Sequence, residues 1–184
     1  IFKANEIYDV FISGSDMIWN FNVNGNDLTF FLDFVKENKT RLSFASSIGA
    51  KWTKEESQKI LPLLKKYQSI SVREEDTNEE LNAMGIASYH LSDPTLLITP
   101  QEWAEKARNP NIQKYVLVYF PSKELVGKAK LYAMKHSLKV VVIRNGLPKI
   151  GITNVWPKDP EEWLGLFKEA SAVFTNSFHG LLFS

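Results

Sequence analysis

The sequence contains no cysteine, which excludes disulfide scaffolds, cysteine-ligated zinc sites and thiol nucleophiles. Histidine is also scarce, because the chain has only His90, His136 and His179. These three lie far apart and lack the short spacings of known metal-binding motifs. We therefore expect neither cysteine chemistry nor a metal centre.

A strong net charge and long apolar runs are missing as well. The chain balances 22 Lys+Arg against 21 Asp+Glu for a formal net charge of +1, which gives little support to a dedicated nucleic-acid surface. No apolar run approaches the ~20 residues that span a bilayer, and the first residues do not form a signal peptide. A chain of 184 residues, 44% of them hydrophobic, is typical of a soluble globular protein with one core or two small ones. We expect its partner to be a small molecule.

Apolar strands and amphipathic helices alternate along the first half of the chain. Strands are predicted over residues 8–13, 41–45, 69–72 and 89–91. A helical pattern covers residues 53–67, where Pro62 predicts either one imperfect helix or two short ones. The next helix is expected to begin at Asp76, with Glu79 completing a capping box, and to end at Gly85. This order is typical of an α/β unit.

The second half repeats the alternation. Strands are predicted over residues 115–120, 138–143 and 172–175, and the helix over 122–136 makes a parallel βαβ unit of the first two. Another helix is expected to begin at Asp159. We expect two domains, residues 1–99 and 113–184, joined by a connection over residues 100–112. Because the chain starts close to a strand and stops as an apolar helix begins, we expect both domains to be incomplete. The helix residues expected to face the core are Leu125, Val126, Ala129 and Tyr132.

Polar residues follow four of the predicted strands at the point where each strand ends. In open parallel sheets, ligands bind beyond the carboxyl ends of the strands, so these residues are the site candidates. The glycines among them match neither the GxGxxG nor the Walker pattern, which leaves a nucleotide-phosphate loop unsupported. The four clusters are Gly14-Ser15-Asp16, Ser46-Ser47 with Gly49, Ser71-Val72-Arg73-Glu74, and Asn176-Ser177-Phe178-His179.

His179 is the most specific candidate, because it falls in the first turn of a helix that follows a predicted buried strand. Backbone N–H groups and the helix dipole favour an anion there, and a protonated imidazole would add a donor. A local turn, in which Asn176 or Ser177 caps the helix and His179 packs, is an equally supported alternative. His90, within a strand, and His136, at an exposed helix end, are interpreted as structural.

Arg73 and Asp16 are the charged candidates. Arg73 directly follows an apolar strand, and its guanidinium could grip a carboxylate or phosphate through two parallel hydrogen bonds. An ion pair with Glu74, Glu75 or another nearby acid is the favoured alternative. Asp16 is either a general base or a loop brace that bonds its own backbone.

Five segments of the chain occur together in a characteristic order. They are GSDMIWN, FASSIG, ISVREE, DPTLLI and VFTNSFHGLLFS. Each segment is weak evidence alone, but five in sequence are specific, and they cover nearly the whole chain. In these segments the chain resembles the polysaccharide pyruvyl transferase family.

The resemblance implies a fold similar to the glycosyltransferase-B architecture, with two Rossmann-like domains facing across a cleft. It also implies transfer of the pyruvyl group of phosphoenolpyruvate onto sugar hydroxyls of a polysaccharide or glycan precursor. The product is a pyruvate ketal, and phosphate is released. The resemblance implies no metal or redox cofactor. The reaction is expected in the cytoplasm, with the inner face of the membrane as an alternative place.

The resemblance also suggests roles for the candidate residues. His179 is expected to contact the phosphate or to act as the acid, and Asp16 is expected to be the base or a ligand of the acceptor sugar. Arg73 would bind the carboxylate or phosphate from the opposite domain. Further substrate contacts are expected from Gly14, Ser15, Asn176 and Ser177.

The chain departs from the family pattern at one of these positions. Many family members carry arginine two residues before the histidine, where this chain has Ser177. A charged hydrogen bond contributes roughly 1.5–3 kcal/mol, so the missing charge bears on how phosphoenolpyruvate is held. Arg144, at the end of a predicted strand, is the candidate substitute.

Two other functions stay open at this point. One is a glycosyltransferase of the same two-domain architecture, which would need a nucleotide-sugar donor. The other is a degenerate glycan-binding protein that keeps the fold but has lost the transferase activity.

Overall fold

The computed structural model describes residues 3–144, 148 and 151–184. The chain divides into two compact units, Ile1–Leu97 and Ile98–Ser184, which we name the first and the second unit. Each unit contains a four-stranded sheet whose paired strands all run parallel. The expected α/β class with two parallel sheets is therefore confirmed. The domain boundaries expected from the sequence, with a connection over residues 100–112, stay a prediction.

The first unit has its strands in the order β1-β2-β3-β4. The strands are β1 Val10–Ser13, β2 Thr40–Ser46, β3 Ser69–Val72 and β4 Tyr89–His90. The helices are α1 Ala4–Ile7, α2 Phe21–Asn24, α3 Lys54–Leu64 and α4 Glu75–Ala83. Short 3-10 helices cover Leu28–Phe31 and Pro94–Leu97. Each strand predicted for this half of the chain is present.

The helical pattern over residues 53–67 forms a single helix, α3, which ends at Leu64. Thr53 begins it with a capping box, because the Thr53 hydroxyl accepts a hydrogen bond from the Glu56 N–H and the Glu56 carboxylate accepts one from the Thr53 N–H. Pro62 lies in the last turn. Its missing N–H therefore removes one hydrogen bond near the helix end and does not divide the helix.

The prediction that Asp76 caps α4 is wrong. The helix begins at Glu75, and Glu74 is the N-cap residue without a side-chain capping bond. The Asp76 carboxylate instead accepts a hydrogen bond from the next backbone N–H. Glu74 has an extended backbone, and its carboxylate accepts hydrogen bonds from the Ser47 hydroxyl and the Ile48 N–H, which follow β2, and does not cap the helix. The predicted end is confirmed, since Gly85 follows the helix with a φ of +77°, a conformation that glycine adopts at little cost.

One face of the first sheet packs against the helices. Alternate residues of a strand point to opposite faces, and Ile70 of β3 lies in this packed face while Val10, Ile12 and Tyr89 of the same sheet are exposed. Trp19, from the loop after β1, joins the packed side. The principal members of this core are Trp19, Phe31, Ile60, Leu64, Ile70, Val72 and Leu81.

The second unit has its strands in the order β7-β6-β5-β8. The strands are β5 Tyr115–Tyr119, β6 Lys139–Ile143, β7 Thr153–Val155 and β8 Ala172–Thr175. The helices are α5 Pro100–Lys106, α6 Lys123–His136, α7 Pro160–Lys168 and α8 Phe178–Leu182. The sequence did not predict β7, which has only three residues and no apolar alternation. The last strand, predicted as buried, is a half-buried edge strand.

Both faces of the second sheet are covered. Leu117 and Val141 pack with Leu166 and Phe167 of α7 on one face. On the other face, side chains from β5 and β6 pack against α6. Continuous apolar strands such as Tyr115–Tyr119 are typical of a parallel sheet buried on both sides.

The two helices on this sheet mostly follow their predictions. Val126 and Ala129 of α6 are buried as expected, but the prediction for Tyr132 is wrong, because Tyr132 is exposed and Ala133 is buried in its place. The small alanine lets α6 lie close to the sheet, whereas the tyrosine ring lies at the rim, where it packs against His136 and against Phe174 of β8. Asp159 caps α7 as predicted.

Candidate functional site

The polar residues that follow β1, β2 and β3 meet at one edge of the first sheet. The Ser47 N–H, after β2, donates to the Ser15 carbonyl, after β1, at 2.8 Å. The Arg73 N–H, after β3, donates to the Ser46 carbonyl at 3.2 Å. The sequence predicted these three clusters at the carboxyl ends of parallel strands, and the structure brings them into direct contact.

A break in the strand pairing brings Ser46 and Ser47 to this edge. The register between β2 and β3 shifts after Ser43, and the buried Ala45 has a φ of +46°. Such bulges re-aim the side chains that follow them. Gly14 fits against the same bulge, because a Cβ at this position would collide with the Phe44 carbonyl oxygen.

Arg73 is the centre of the group that we name the Arg73 cluster, formed by Asp16, Ser47, Arg73, Glu74 and Asp93. The Arg73 side chain is only 10% exposed, and its Nη1 lies 2.9 Å from both Asp16 Oδ1 and Asp93 Oδ2. Its Nη2 donates to Ser47 Oγ at 3.0 Å, and its Nε lies 3.4 Å from Glu74 Oε1. The Ser47 hydroxyl in turn donates to the Glu74 carboxylate. The ion-pair interpretation of Arg73 is therefore confirmed, with Glu74, Asp16 and Asp93 as partners.

The electrostatics of the cluster keep Arg73 charged. Burial lowers the pKa of the Arg73 guanidinium, but hydrogen bonds to Asp93 and Asp16 and the negative charges of Asp16 and Glu74 outweigh it, so the pKa is raised above its usual value. One guanidinium faces three carboxylates. The cluster therefore carries more negative than positive formal charge, and Arg73 serves to gather carboxylates.

Asp93 is the member of the cluster that the sequence interpretation missed. Its side chain is 2% exposed, and its Oδ1 accepts hydrogen bonds from the Thr95 N–H at 2.9 Å and the Thr95 hydroxyl at 2.7 Å. The sequence predicted only a strand over residues 89–91 before this aspartate and gave Asp93 itself no role. The signal was present, because Asp followed two residues later by Thr is typical of a turn in which the carboxylate bonds the backbone. Nothing in the sequence paired that turn with Arg73.

Ser15 and His90 lie beside the cluster. The Ser15 hydroxyl is buried and has no hydrogen-bond partner among the described residues. His90 Nε2 lies 3.1 Å from the Arg73 carbonyl oxygen. His136, the other histidine interpreted as structural, lies in the second unit at the end of α6.

The remaining candidates lie in the second unit, where His179 falls in the first turn of α8, as predicted. The helix has only five residues, and the Ser177 hydroxyl accepts the Gly180 N–H at 3.2 Å. The expectation that Ser177 caps the helix is therefore confirmed. The His179 imidazole is half-buried and packs edge-on against Phe178, while Asn176 is exposed. A helix this short has little dipole of its own, so any role of His179 rests on its ring.

Arg144 lies at the end of β6. Its Nε donates to Asn154 Oδ1 at 3.0 Å, and its backbone N–H donates to the Val155 carbonyl. Its Nη2 is buried and, among the described residues, has no hydrogen-bond partner. A buried guanidinium nitrogen in this state is the kind of donor that a bound anion satisfies.

Residues 3–144, 148 and 151–184 include neither a cluster of metal-ligand side chains nor a helix long and apolar enough to cross a membrane.

Comparison with known proteins identifies a family. The model of the family described as polysaccharide pyruvyl transferase matches residues 2–184. No curated protein and no solved structure matches the chain.

Proposed function

The chain belongs to the polysaccharide pyruvyl transferase family and is a transferase, and from this premise we propose that it moves the pyruvyl group of phosphoenolpyruvate onto a glycan. The acceptor is a sugar of a polysaccharide or glycan precursor, and the reaction takes place in the cytoplasm without a metal or redox cofactor. The observation that carries the proposal is the family match over residues 2–184. A glycosyltransferase-B-like fold class is part of the same proposal.

The proposed reaction consumes two sugar hydroxyls. A proton added to the methylene carbon of phosphoenolpyruvate gives C2 oxocarbenium character, and the first hydroxyl oxygen bonds to C2. The bond between C2 and the phosphate oxygen then breaks, and the second hydroxyl oxygen takes the place of phosphate at C2. One hydroxyl proton balances the new methyl group and the other leaves with phosphate. The chemistry needs an acid for the methylene carbon and a base for the hydroxyls.

In this proposal Asp16 is the base. Its side chain is 54% exposed, so a sugar hydroxyl can reach it. Its Oδ1 is held 2.9 Å from Arg73 Nη1, which fixes the position of the carboxylate. Ser15 and Gly14 are proposed to bind the acceptor because they directly precede Asp16 in the same loop.

His179 is the proposed acid or phosphate ligand. An imidazole N–H can donate a hydrogen bond to a phosphate oxygen or transfer its proton to a reacting atom. Asn176 and Ser177, which precede it, are proposed to bind the same anion. Arg144 is proposed to supply the positive charge that Ser177 lacks, and its buried Nη2 supports that role.

Arg73 was expected from the sequence to grip the carboxylate or phosphate of phosphoenolpyruvate. Its three nitrogens each face an oxygen of the cluster. A direct contact with phosphoenolpyruvate therefore has to share the guanidinium with Asp16 and Asp93. We retain Arg73 as a substrate-site residue that acts on substrate through Asp16.

Calorimetric titration of the intact protein tests the proposal. Phosphoenolpyruvate is expected to bind, and His179→Ala is expected to weaken binding about tenfold or more, since a charged hydrogen bond contributes about 1.5–3 kcal/mol. His136→Ala is the matched control, because His136 lies at an exposed helix end, and it should bind as the wild type does. UDP- and GDP-sugars are titrated alongside. Binding of a nucleotide sugar with no signal from phosphoenolpyruvate would replace the proposal with glycosyl transfer.

A further inference from the structure

We infer that Asp93 is a positioning residue that sets the orientation of the Asp16 carboxylate through Arg73. This inference rests on the proposed function, in which Asp16 takes a proton from the acceptor sugar. It concerns the first unit alone.

Asp93 is built as a fixed anchor. Both hydrogen bonds to its Oδ1 come from Thr95, two residues later in the chain, so the turn itself holds the carboxylate. Its Oδ2 is left to face Arg73 Nη1 at 2.9 Å. A carboxylate that is 2% exposed is stable only when its oxygens are paired. The anchor and the Arg73 guanidinium therefore depend on each other.

Arg73 links the anchored Asp93 carboxylate to the Asp16 carboxylate. Its planar guanidinium is held at Nη1 by Asp93, at Nη2 by the buried Ser47 and at Nε by Glu74, and three points define the plane of a rigid fork. Asp16 lies 2.9 Å from the same Nη1. The position of Asp16 therefore follows from that of Asp93, although the two residues are in different loops.

The exposed fraction of the side chain increases from Asp93 through Arg73 to Asp16. Asp93 is 2% exposed, Arg73 is 10% exposed and Asp16 is 54% exposed. Of these three side chains, only Asp16 is exposed enough to contact a sugar directly. The buried Asp93 and Arg73 therefore position the exposed carboxylate, which acts on the substrate. A catalytic group misplaced by about 1 Å can cost on the order of a hundredfold in rate, which makes such support valuable.

The test compares Asp93→Asn with the wild type in a phosphate-release assay with phosphoenolpyruvate and acceptor glycan. The asparagine keeps the shape but weakens the hold on Arg73, so kcat is expected to fall about 10- to 100-fold. KM for phosphoenolpyruvate is expected to change less than about twofold, because the loss is in the transition state. Asp33→Asn, which removes an exposed carboxylate, is the control and should keep the wild-type kcat. Equal kcat values for Asp93→Asn and Asp33→Asn would overturn the inference.

A double-mutant cycle separates positioning from a merely structural role. In an Asp16→Asn background, Asp93→Asn should lower kcat no further, because the group it positions is already gone. Full additivity of the two losses contradicts the inference. Thr95→Val removes only the hydroxyl that braces Asp93 and should give a smaller loss, which keeps the test usable if Asp93→Asn does not fold.

A crystal structure of Asp93→Asn or Thr95→Val gives a readout that does not depend on activity. The ion pair between Asp16 and Arg73 is expected to be lost or displaced. An unchanged ion pair overturns the inference. If the wild type releases no phosphate from phosphoenolpyruvate, the proposed function fails while this structural readout still decides the role of Asp93.

Discussion

The two sheets have the same number of strands and the same parallel pairing but different interiors. Among the residues that the structure describes, the buried Ser, Thr, Asn, Asp and Arg side chains all lie in the first unit. They include Ser13, Arg41, Ser43, Ser46 and Ser71. The strands of the second sheet bury apolar residues on both faces. One unit thus contains a polar network and the other a conventional apolar core.

The buried serines of the first unit connect the sheet to the Arg73 cluster. Ser71 Oγ donates to the Ser43 carbonyl and accepts from the Ala45 N–H, both at 2.9 Å, while Ser46 Oγ donates to the Ser13 carbonyl. These bonds satisfy the backbone at the bulge, where regular pairing stops. Since Ser47 follows directly, the polar interior is what allows the sheet to present Ser47 to Arg73 and Glu74. In the second unit, the apolar sheet ends at Thr175 of β8, and residues 176 and 177 connect it to α8, which carries His179.

The largest loss of unfolding free energy is expected from a substitution that creates a cavity in the apolar core of the second unit. Leu117→Ala removes a fully buried side chain, and such changes cost about 2–5 kcal/mol of unfolding free energy. Chemical denaturation measures the loss. Leu131→Ala is the control, because Leu131 is 67% exposed on α6, and it should change the free energy by less than about 0.5 kcal/mol. Similar values for the two variants would show that the apolar interior does not dominate the stability of this unit.

A smaller loss is expected in the first unit from removing one hydroxyl. Ser71→Ala leaves the buried Ala45 N–H without its acceptor, and an unsatisfied buried donor costs about 1–3 kcal/mol. The exposed Ser69→Ala in the same strand is the matched control and should be nearly neutral. If Ser71→Ala is as stable as Ser69→Ala in denaturant, the serine network is not what supports the bulge.

The smallest loss of unfolding free energy is expected from removing the Tyr115 hydroxyl, a polar group inside the apolar core of the second unit. The Tyr115 hydroxyl donates to the Leu166 carbonyl at 2.8 Å, and burial raises the pKa of Tyr115 from 10.0 to about 12, with the charge of Glu169 adding to the rise. The folded state therefore holds this proton more tightly than the unfolded state. The stability from this group is fully present below pH 10 and is lost as the pH rises towards 12.

Tyr115→Phe tests that pH dependence. At neutral pH the variant should lose about 0.5–1.5 kcal/mol, the usual contribution of one hydrogen bond. Its deficit against the wild type should narrow as the pH rises above 10. Tyr89→Phe, on an exposed ring, serves as the control in the same denaturation series. A deficit for Tyr115→Phe that stays constant with pH would mean that Tyr115 does not titrate as its burial requires.

The sequence predicted the framework of both units better than the contacts within them. Apolar runs ended by polar residues located the strands, so Asp16, Arg73 and His179 were correctly placed at strand ends. The bulge after Ser43 depends on a positive φ at Ala45, which no alanine pattern signals. Buried serines within strands also contradict the simple rule that polar residues face solvent, because their partners come from the neighbouring strand.

The pairing of Asp93 with Arg73 shows where local reasoning stops. The two residues are joined through β4, which has only two residues, and their contact depends on how the following turn packs. An arginine after a strand and an aspartate before a proline are both common in sequences. Neither pattern identifies the other residue as its ion-pair partner. Only the three-dimensional structure shows that a single guanidinium gathers three carboxylates from separate loops.

The most direct test of pyruvyl transfer is the mass of an acceptor glycan after incubation with phosphoenolpyruvate and the intact protein. The proposed reaction predicts that the glycan gains one carboxyethylidene group and that one phosphate is released for each group gained. His179→Ala and Asp16→Asn should both lower that yield, and His136→Ala should not. An unchanged glycan that still binds the protein, with no phosphate released across a panel of polysaccharide precursors, would contradict the proposal and favour a glycan-binding protein without transferase activity.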